Sequence, residues 1–146
     1  MLHDDREFTL EEAERWFDST QPRFYLVSLG SLPIGYFRTS NWNYASRHVY
    51  VGCDLHESYR GSGHAHAAYN VFIKFLFEDC GMNKVSLEVL SYNVRARKLY
   101  EKLGFVLEGI KRQEVWRDGR YLDSFMFSML KSEFAARRLA KDRSRS

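Results

Sequence analysis

A chain of 146 residues is the size of one globular domain and is long enough to bury a core without disulfides or metal. Apolar residues make up 45%, charged residues 28% and there are only 2 prolines, which excludes a disordered or collagen-like chain. The net charge of +3 is unevenly placed: residues 131–146 hold six Lys or Arg against Glu133 and Asp142, a net of +4, which leaves the body at −1. A near-neutral body argues against a nucleic-acid surface, and the basic end reads as a solvated, frayed tail.

Cys53 and Cys80 lack CxxC or Cys/His spacing, so neither a disulfide framework nor a metal site is expected, and a reducing compartment fits. No apolar run reaches about 18 residues and Met1 to Glu7 is polar, so neither a membrane span nor a secretory leader is expected. The expected location is the cytoplasm.

In chain order, Thr9 followed by Glu12 forms a capping box before Leu10, Ala13 and Phe17 on one face, predicting a helix over about 10–18. Two β-rich runs, 24–29 and 33–38, flank Gly30-Ser31 as a hairpin, and 39–46 reads as a polar, aromatic loop. From 47 to 55, Val49, Val51, Cys53 and Leu55 alternate on one face of a strand. A glycine-rich turn leads into a long helix over 64–80, with Ala65, Ala68, Phe72, Phe75 and Leu76 on its apolar stripe and Gly81 as its C-terminal cap. A strand over 84–90 follows, then Asn93 as the N-cap of a helix carrying Ala96, Leu99, Tyr100 and Leu103 and closed by Gly104. The runs 105–117 and 120–130 flank Asp118-Gly119, the sequence of a type I′ hairpin. The predicted class is α+β, a mixed sheet flanked by helices, with residues 1–130 as one domain and 131–146 as the basic tail.

The segment Arg60-Gly61-Ser62-Gly63-His64-Ala65 lies between a strand and the first turn of a helix. Unpartnered amides and the positive end of the helix dipole suit a phosphate there, and glycine lets a diphosphate approach the backbone. A turn that merely needs two glycines explains the same six residues.

Arg-x-x-Gly-x-Ala after a strand resembles the acyl-CoA pyrophosphate loop of the GNAT N-acetyltransferase superfamily. A second block agrees: Leu87-Glu88-Val89, Asn93, Ala96 and Leu99-Tyr100-Glu101-Lys102-Leu103-Gly104-Phe105 resemble the superfamily's segment at the same spacing. The ending, from Glu108-Gly109 and Arg112 through Asp118-Gly119-Arg120-Tyr121-Leu122-Asp123 to Leu130, is similar to the branch of ribosomal-protein, polyamine and amino-sugar acetyltransferases. The resemblance spans about residues 8–130 and implies a GNAT-like sheet, here lacking the superfamily's usual first strand and helix. That loss leaves an open acceptor pocket, or one completed by a second copy in a homodimer.

The resemblance implies acetyl-CoA as co-substrate, no metal, and a primary amine as acceptor: a protein N-terminus, a polyamine or an amino sugar. It places the general acid at Tyr100 and, by likeness to protein N-acetyltransferases, the base at Glu88. The cofactor-binding residues are the backbone of Asp54 and Leu55, the loop Arg60, Gly61, Ser62, Gly63, His64 and Ala65, and Asn93 on the pantetheine arm. Each has a plainer reading: Glu88 as a surface ion pair, Tyr100 as core packing and Asn93 as a cap only. His64 and His66 are two apart on a helix and face different directions, which opposes a metal site. Trp42, Tyr44, Trp116 and Tyr121 line an acceptor cleft or pack across the sheet. The competing class is a non-catalytic acyl-CoA-binding module that regulates a partner.

Overall fold

The structure is a computed structural model that describes residues 9–145. Helix α1 (Leu10–Thr20) starts where the capping box requires: the Glu12 amide donates to Thr9 Oγ1 at 3.2 Å and the Thr9 amide to Glu12 Oε2 at 3.0 Å. Two tight hairpin strands follow, β1 (Arg23–Leu29) and β2 (Leu32–Asn43), then β3 (His48–Leu55). Helix α2 (His64–Lys74) continues through a wide π turn, Phe75–Asp79, to Gly81 at φ +69°. Strand β4 (Lys84–Leu90), helix α3 (Val94–Leu103), the long hairpin β5 (Val106–Arg117) and β6 (Arg120–Leu130), and helix α4 (Lys131–Ser144) complete the fold.

Two expectations are corrected here. The segment read as a loop over 39–46 is strand as far as Asn43, because pairing with β3 turns Thr39 and Trp42 into the core, 0% and 3% exposed. The polar composition is absorbed by a bulge after Ser40, where Asn41 takes φ +52°. The tail read as frayed forms α4, whose Phe134 ring stacks on Phe77 with centroids 5.1 Å apart while Arg138 pairs with Glu78. The expectation that a first strand and helix are lacking bears on residues 1–8, outside the described residues.

The six strands lie in the order β1-β2-β3-β4-β6-β5, antiparallel except for β3 and β4. Strand alternation sends Val49, Val51, Val85, Leu87, Val89, Phe127 and Met129 to one face, where they pack on Phe72, Ile73, Leu76 and Phe77. Phe37 of β2 stacks on Phe72 with ring centroids 4.2 Å apart. The opposite face carries Tyr50, Ser86, Glu88 and Ser124, polar groups on the alternate positions. At the far end of the long hairpin Asp118 and Gly119 have φ of +51° and +78°, as a type I′ turn demands.

The feature that positions the site is a gap in the ladder. Strands β3 and β4 pair only at His48–Lys84, Val49–Val85 and Tyr50–Ser86, although both run on for several residues. Beyond that seam they diverge, and the backbone groups on the β4 side of residues 51–55 have no strand partner there.

Candidate active site

On the helical face, the gap opens into a cleft of about 640 Å³. Its walls bring together eight of the residues expected from sequence: Asp54, Leu55, Arg60, Gly61, Gly63, Ala65, Asn93 and Tyr100. Gly61 and Gly63 hold φ of +80° and +84°, a region closed to most side chains, and Gly63 ends the loop as the N-cap of α2. A Cβ at Gly63 would meet nothing within 4 Å, so the loop there is an open cradle with the helix amides behind it. The donor set and the concave glycine surface fit a diphosphate.

Four expected residues are placed with more detail than the sequence allowed. Arg60 folds back on the strand end: Nε donates to the Leu55 carbonyl at 2.8 Å and the guanidinium pairs with Asp54 at 3.2 Å. That bond takes one lone pair of the Leu55 oxygen and leaves the second. Ser62 Oγ donates to the Tyr59 carbonyl at 3.2 Å, and His64 edges a groove on the far side of α2, so neither side chain lines the cleft. Asn93 Oδ1 accepts the Ala96 amide at 3.1 Å as an N-cap and still fronts the cleft.

Tyr100 sits at the inner end among Phe105, Phe127 and Tyr69. The Tyr69 hydroxyl approaches the Tyr100 hydroxyl to 3.5 Å, the outer limit of a hydrogen bond. Burial pushes the Tyr100 phenol above its ordinary value, the contact with Tyr69 partly opposing. Cys53 lines the same wall, and burial, with Asp54 adding to it, drives its thiol up to about 12. At neutral pH this cysteine is a thiol and not a nucleophile. Sequence reasoning passed over Tyr69, although it lies on the Ala65–Phe72 stripe of the helix, and over Arg95, whose guanidinium lies across Gly61.

Glu88 is on the other face of the sheet, on the opposite side of the gap from Tyr100. It borders a second hollow of about 620 Å³ with Arg38, Tyr50, Gly52 and Lys111. Its carboxylate accepts Lys111 Nζ at 2.5 Å and the Ser124 hydroxyl at 3.3 Å. The Lys111 ammonium is held above its ordinary range, first by that hydrogen bond. The aromatic groups considered for an acceptor wall do not gather: Trp42 is buried and donates to Thr39 Oγ1, whereas Trp116 and Tyr121 pair on the exposed hairpin.

A glycine loop at a helix start, opening on a split between parallel strands, is joined by a match of the Acetyltransferase (GNAT) family model to residues 2–105. The chain belongs to the GNAT acetyltransferase family. The fold class and the family expected from the sequence are thereby borne out. This GNAT chain is similar to the SPbeta prophage-derived uncharacterized N-acetyltransferase YokL of Bacillus subtilis (strain 168), at 29% identity over 85% of this chain and 70% of that protein. It resembles the spermidine N(1)-acetyltransferase of Vibrio cholerae at 28% identity, over 82% of this chain and 69% of that one. A crystal structure of spermidine/spermine N-acetyltransferase SpeG from Vibrio cholerae matches with a TM-score of 0.76 and 26% identity, over 87% of this chain and 75% of that one. Among the described residues, no helix of the GNAT domain is long and apolar enough to cross a membrane.

Proposed function

We propose that this chain transfers the acetyl group of acetyl-CoA to a primary amine by direct attack, with Tyr100 as acid, Glu88 as base and the loop of residues 60–65 as the diphosphate site. The observation that carries the reading is the gap beyond the β3–β4 seam, flanked by Tyr100 on one face and Glu88 on the other. Bound acetyl-CoA supplies an electrophilic thioester and a thiolate leaving group.

The protein's part is to bind, orient and move protons. Amides of the first turn of α2, behind Gly61 and Gly63, hold the diphosphate. The free backbone edge at Asp54 and Leu55, with the Asn93 amide group, orients the pantetheine arm and polarises the carbonyl. Tyr100 keeps its proton because burial raises its pKa, and delivers it as the thiolate departs. An alkyl ammonium near pKa 10.4 loses its proton at neutral pH at a cost of roughly 4 kcal/mol. The acceptor hollow holds the Glu88–Lys111 ion pair, and Glu88 takes the proton from the amine.

The acceptor is an amine on a protein N-terminus, a polyamine or an amino sugar. A polycation needs several carboxylates converging on one cleft, and of Glu57, Glu88, Glu114 and Asp123 only Glu88 borders the hollow. Glu88 is tied to Lys111, the Asp123 carboxylate accepts the Gln113 amide at 2.7 Å, and Glu57 lies on a turn beyond β3. Arg38 adds a cation to the hollow, which favours a protein N-terminus or an amino sugar.

The test is acetyl-CoA turnover against representatives of all three acceptor classes, with products read by mass spectrometry. One acetyl mass gain on a single class is expected. Tyr100→Phe is expected to lower kcat about a hundredfold while CoA affinity holds. Saturable CoA binding without product from any class would overturn the reading in favour of a non-catalytic acyl-CoA-binding module.

A further inference from the structure

We propose that α3 and α4 together extend the acyl-CoA cleft with a phosphate-reading site, in which Lys102, Arg137 and Lys141 bind the ribose phosphomonoester of CoA. The inference rests on the reading of that cleft as the acetyl-CoA site. The cleft's outer end is walled by His66 and Lys102. A third hollow, of about 310 Å³, lies between α2, the end of α3 and α4, bordered by Asn70, Arg137, Lys141 and Arg145. Asn70 joins the two: its Nδ2 lies 3.2 Å from His66 Nδ1 and donates to the His66 carbonyl at 3.0 Å.

The cations at this junction are not consumed by docking α4. Arg138 does that work, pairing with Glu78, which also holds Lys74 at 3.8 Å. Arg137 donates to the Lys102 carbonyl at 2.9 Å, a neutral acceptor that fixes the guanidinium without cancelling its charge. Its stem crosses Gly104 so closely that a Cβ there would lie 2.6 Å from Arg137 Cδ. Among the described residues, Lys102, Lys141 and Arg145 form no ion pair, and Asp142 is the one carboxylate bordering the hollow. Their field reaches the cleft wall: the His66 imidazole is pushed down, by burial first and then by Lys102, Lys141 and Arg137.

Gathering like charges costs energy unless an anion shares the site. A phosphomonoester, nearly dianionic at neutral pH with a second pKa of about 6, supplies that charge and three acceptor oxygens. Dipolar cleft residues serve the diphosphate at one end, and the cationic cluster serves the nucleotide at the other. The basic C-terminal segment is in this view a specificity element for the co-substrate.

Isothermal calorimetry on the full chain, with CoA and dephospho-CoA as titrants and no acceptor present, separates this from turnover. The wild type is expected to bind CoA about tenfold more tightly than dephospho-CoA, as one exposed charge-assisted phosphate contact provides. The double variant Lys102→Ala/Lys141→Ala is expected to lose that ratio while its dephospho-CoA affinity and melting temperature stay at wild-type values. Equal binding of the two titrants by the wild type overturns the phosphate site and leaves the acyl-CoA cleft standing. Binding of neither overturns the cleft reading, and the phosphate site falls with it.

Discussion

Gly35 is a glycine for reasons of space, and replacing it with alanine tests how tightly β2 clamps the strand that borders the gap. Gly35 pairs with Leu55 at the end of β3, and an added Cβ would run into the Asp54 carbonyl oxygen, with Leu55 Cδ2 at 2.7 Å and Leu55 Cα at 2.9 Å. Two of those three atoms belong to backbone, so relief requires the end of β3 to shift rather than a side chain to rotate. Overpacking of this kind costs about 2 kcal/mol. At about 2–4 °C per kcal/mol for a chain of this size, Gly35→Ala is expected to melt about 4–8 °C below the wild type. CoA affinity should fall in parallel, because Asp54 and Leu55 are the segment displaced. Gly30→Ala is the matched control: its Cβ would meet nothing within 4 Å, but its φ of +62° costs an alanine about 1 kcal/mol. Differential scanning calorimetry and CoA titration read both. A Gly35→Ala protein that melts with the wild type, or no lower than Gly30→Ala, refutes the argument from packing.

Thr39→Val removes the acceptor of the Trp42 indole N–H, a bond of 2.9 Å in the core, and is expected to cost about 1–3 kcal/mol in urea unfolding; a change under half a kcal/mol would show that the indole finds another partner. His48, whose Nε2 lies 2.6 Å from Ser86 Oγ and which faces Lys84 and Glu108, is held below its ordinary value mainly by burial and next by Lys84. The unfolded chain therefore takes up that proton first, so the stability His48 confers is full above about pH 6.5 and is lost as pH falls toward the lowered folded value. Melting curves between pH 7.5 and about 5 should show the loss, and His48→Gln should flatten it; an unchanged slope in the variant would assign the loss to other groups.

The parts of this fold that were legible in the sequence are those set by chemistry within a few residues. Thr9 and Glu12, Asn93, Gly81, Gly104 and Asp118-Gly119 each mark a boundary through a cap or a positive φ, and each boundary is found where its residue stands. The glycine loop and the Asn93–Tyr100 block were legible through their resemblance to a known family, and eight of the residues it implied line the cleft. What escaped depends on distant partners. The charge of 131–146 concealed Phe134, which has value only because Phe77 and Glu78 present a surface to it. Trp42 looked like loop because the strand that buries it begins at His48. Glu88 was expected as a base or a surface ion pair, but its partner Lys111 comes from a strand two places away in the sheet. The divergence of β3 from β4 has no local signature, since it is a relation between two strands separated in the chain by the whole of α2.

That divergence makes the sheet two three-stranded blocks, β1-β2-β3 and β4-β6-β5, whose ladders are stitched by three residue pairs. A ligand whose amides bond to the loose edge of β3 while its body rests on α3 acts as a rivet between the blocks. Amide exchange in Val51–Leu55 should therefore slow when CoA binds, and the seam at His48–Tyr50, already paired, should change little. The two blocks already share the core against α2, so a ligand bound there would add backbone pairing where the sheet has least of it.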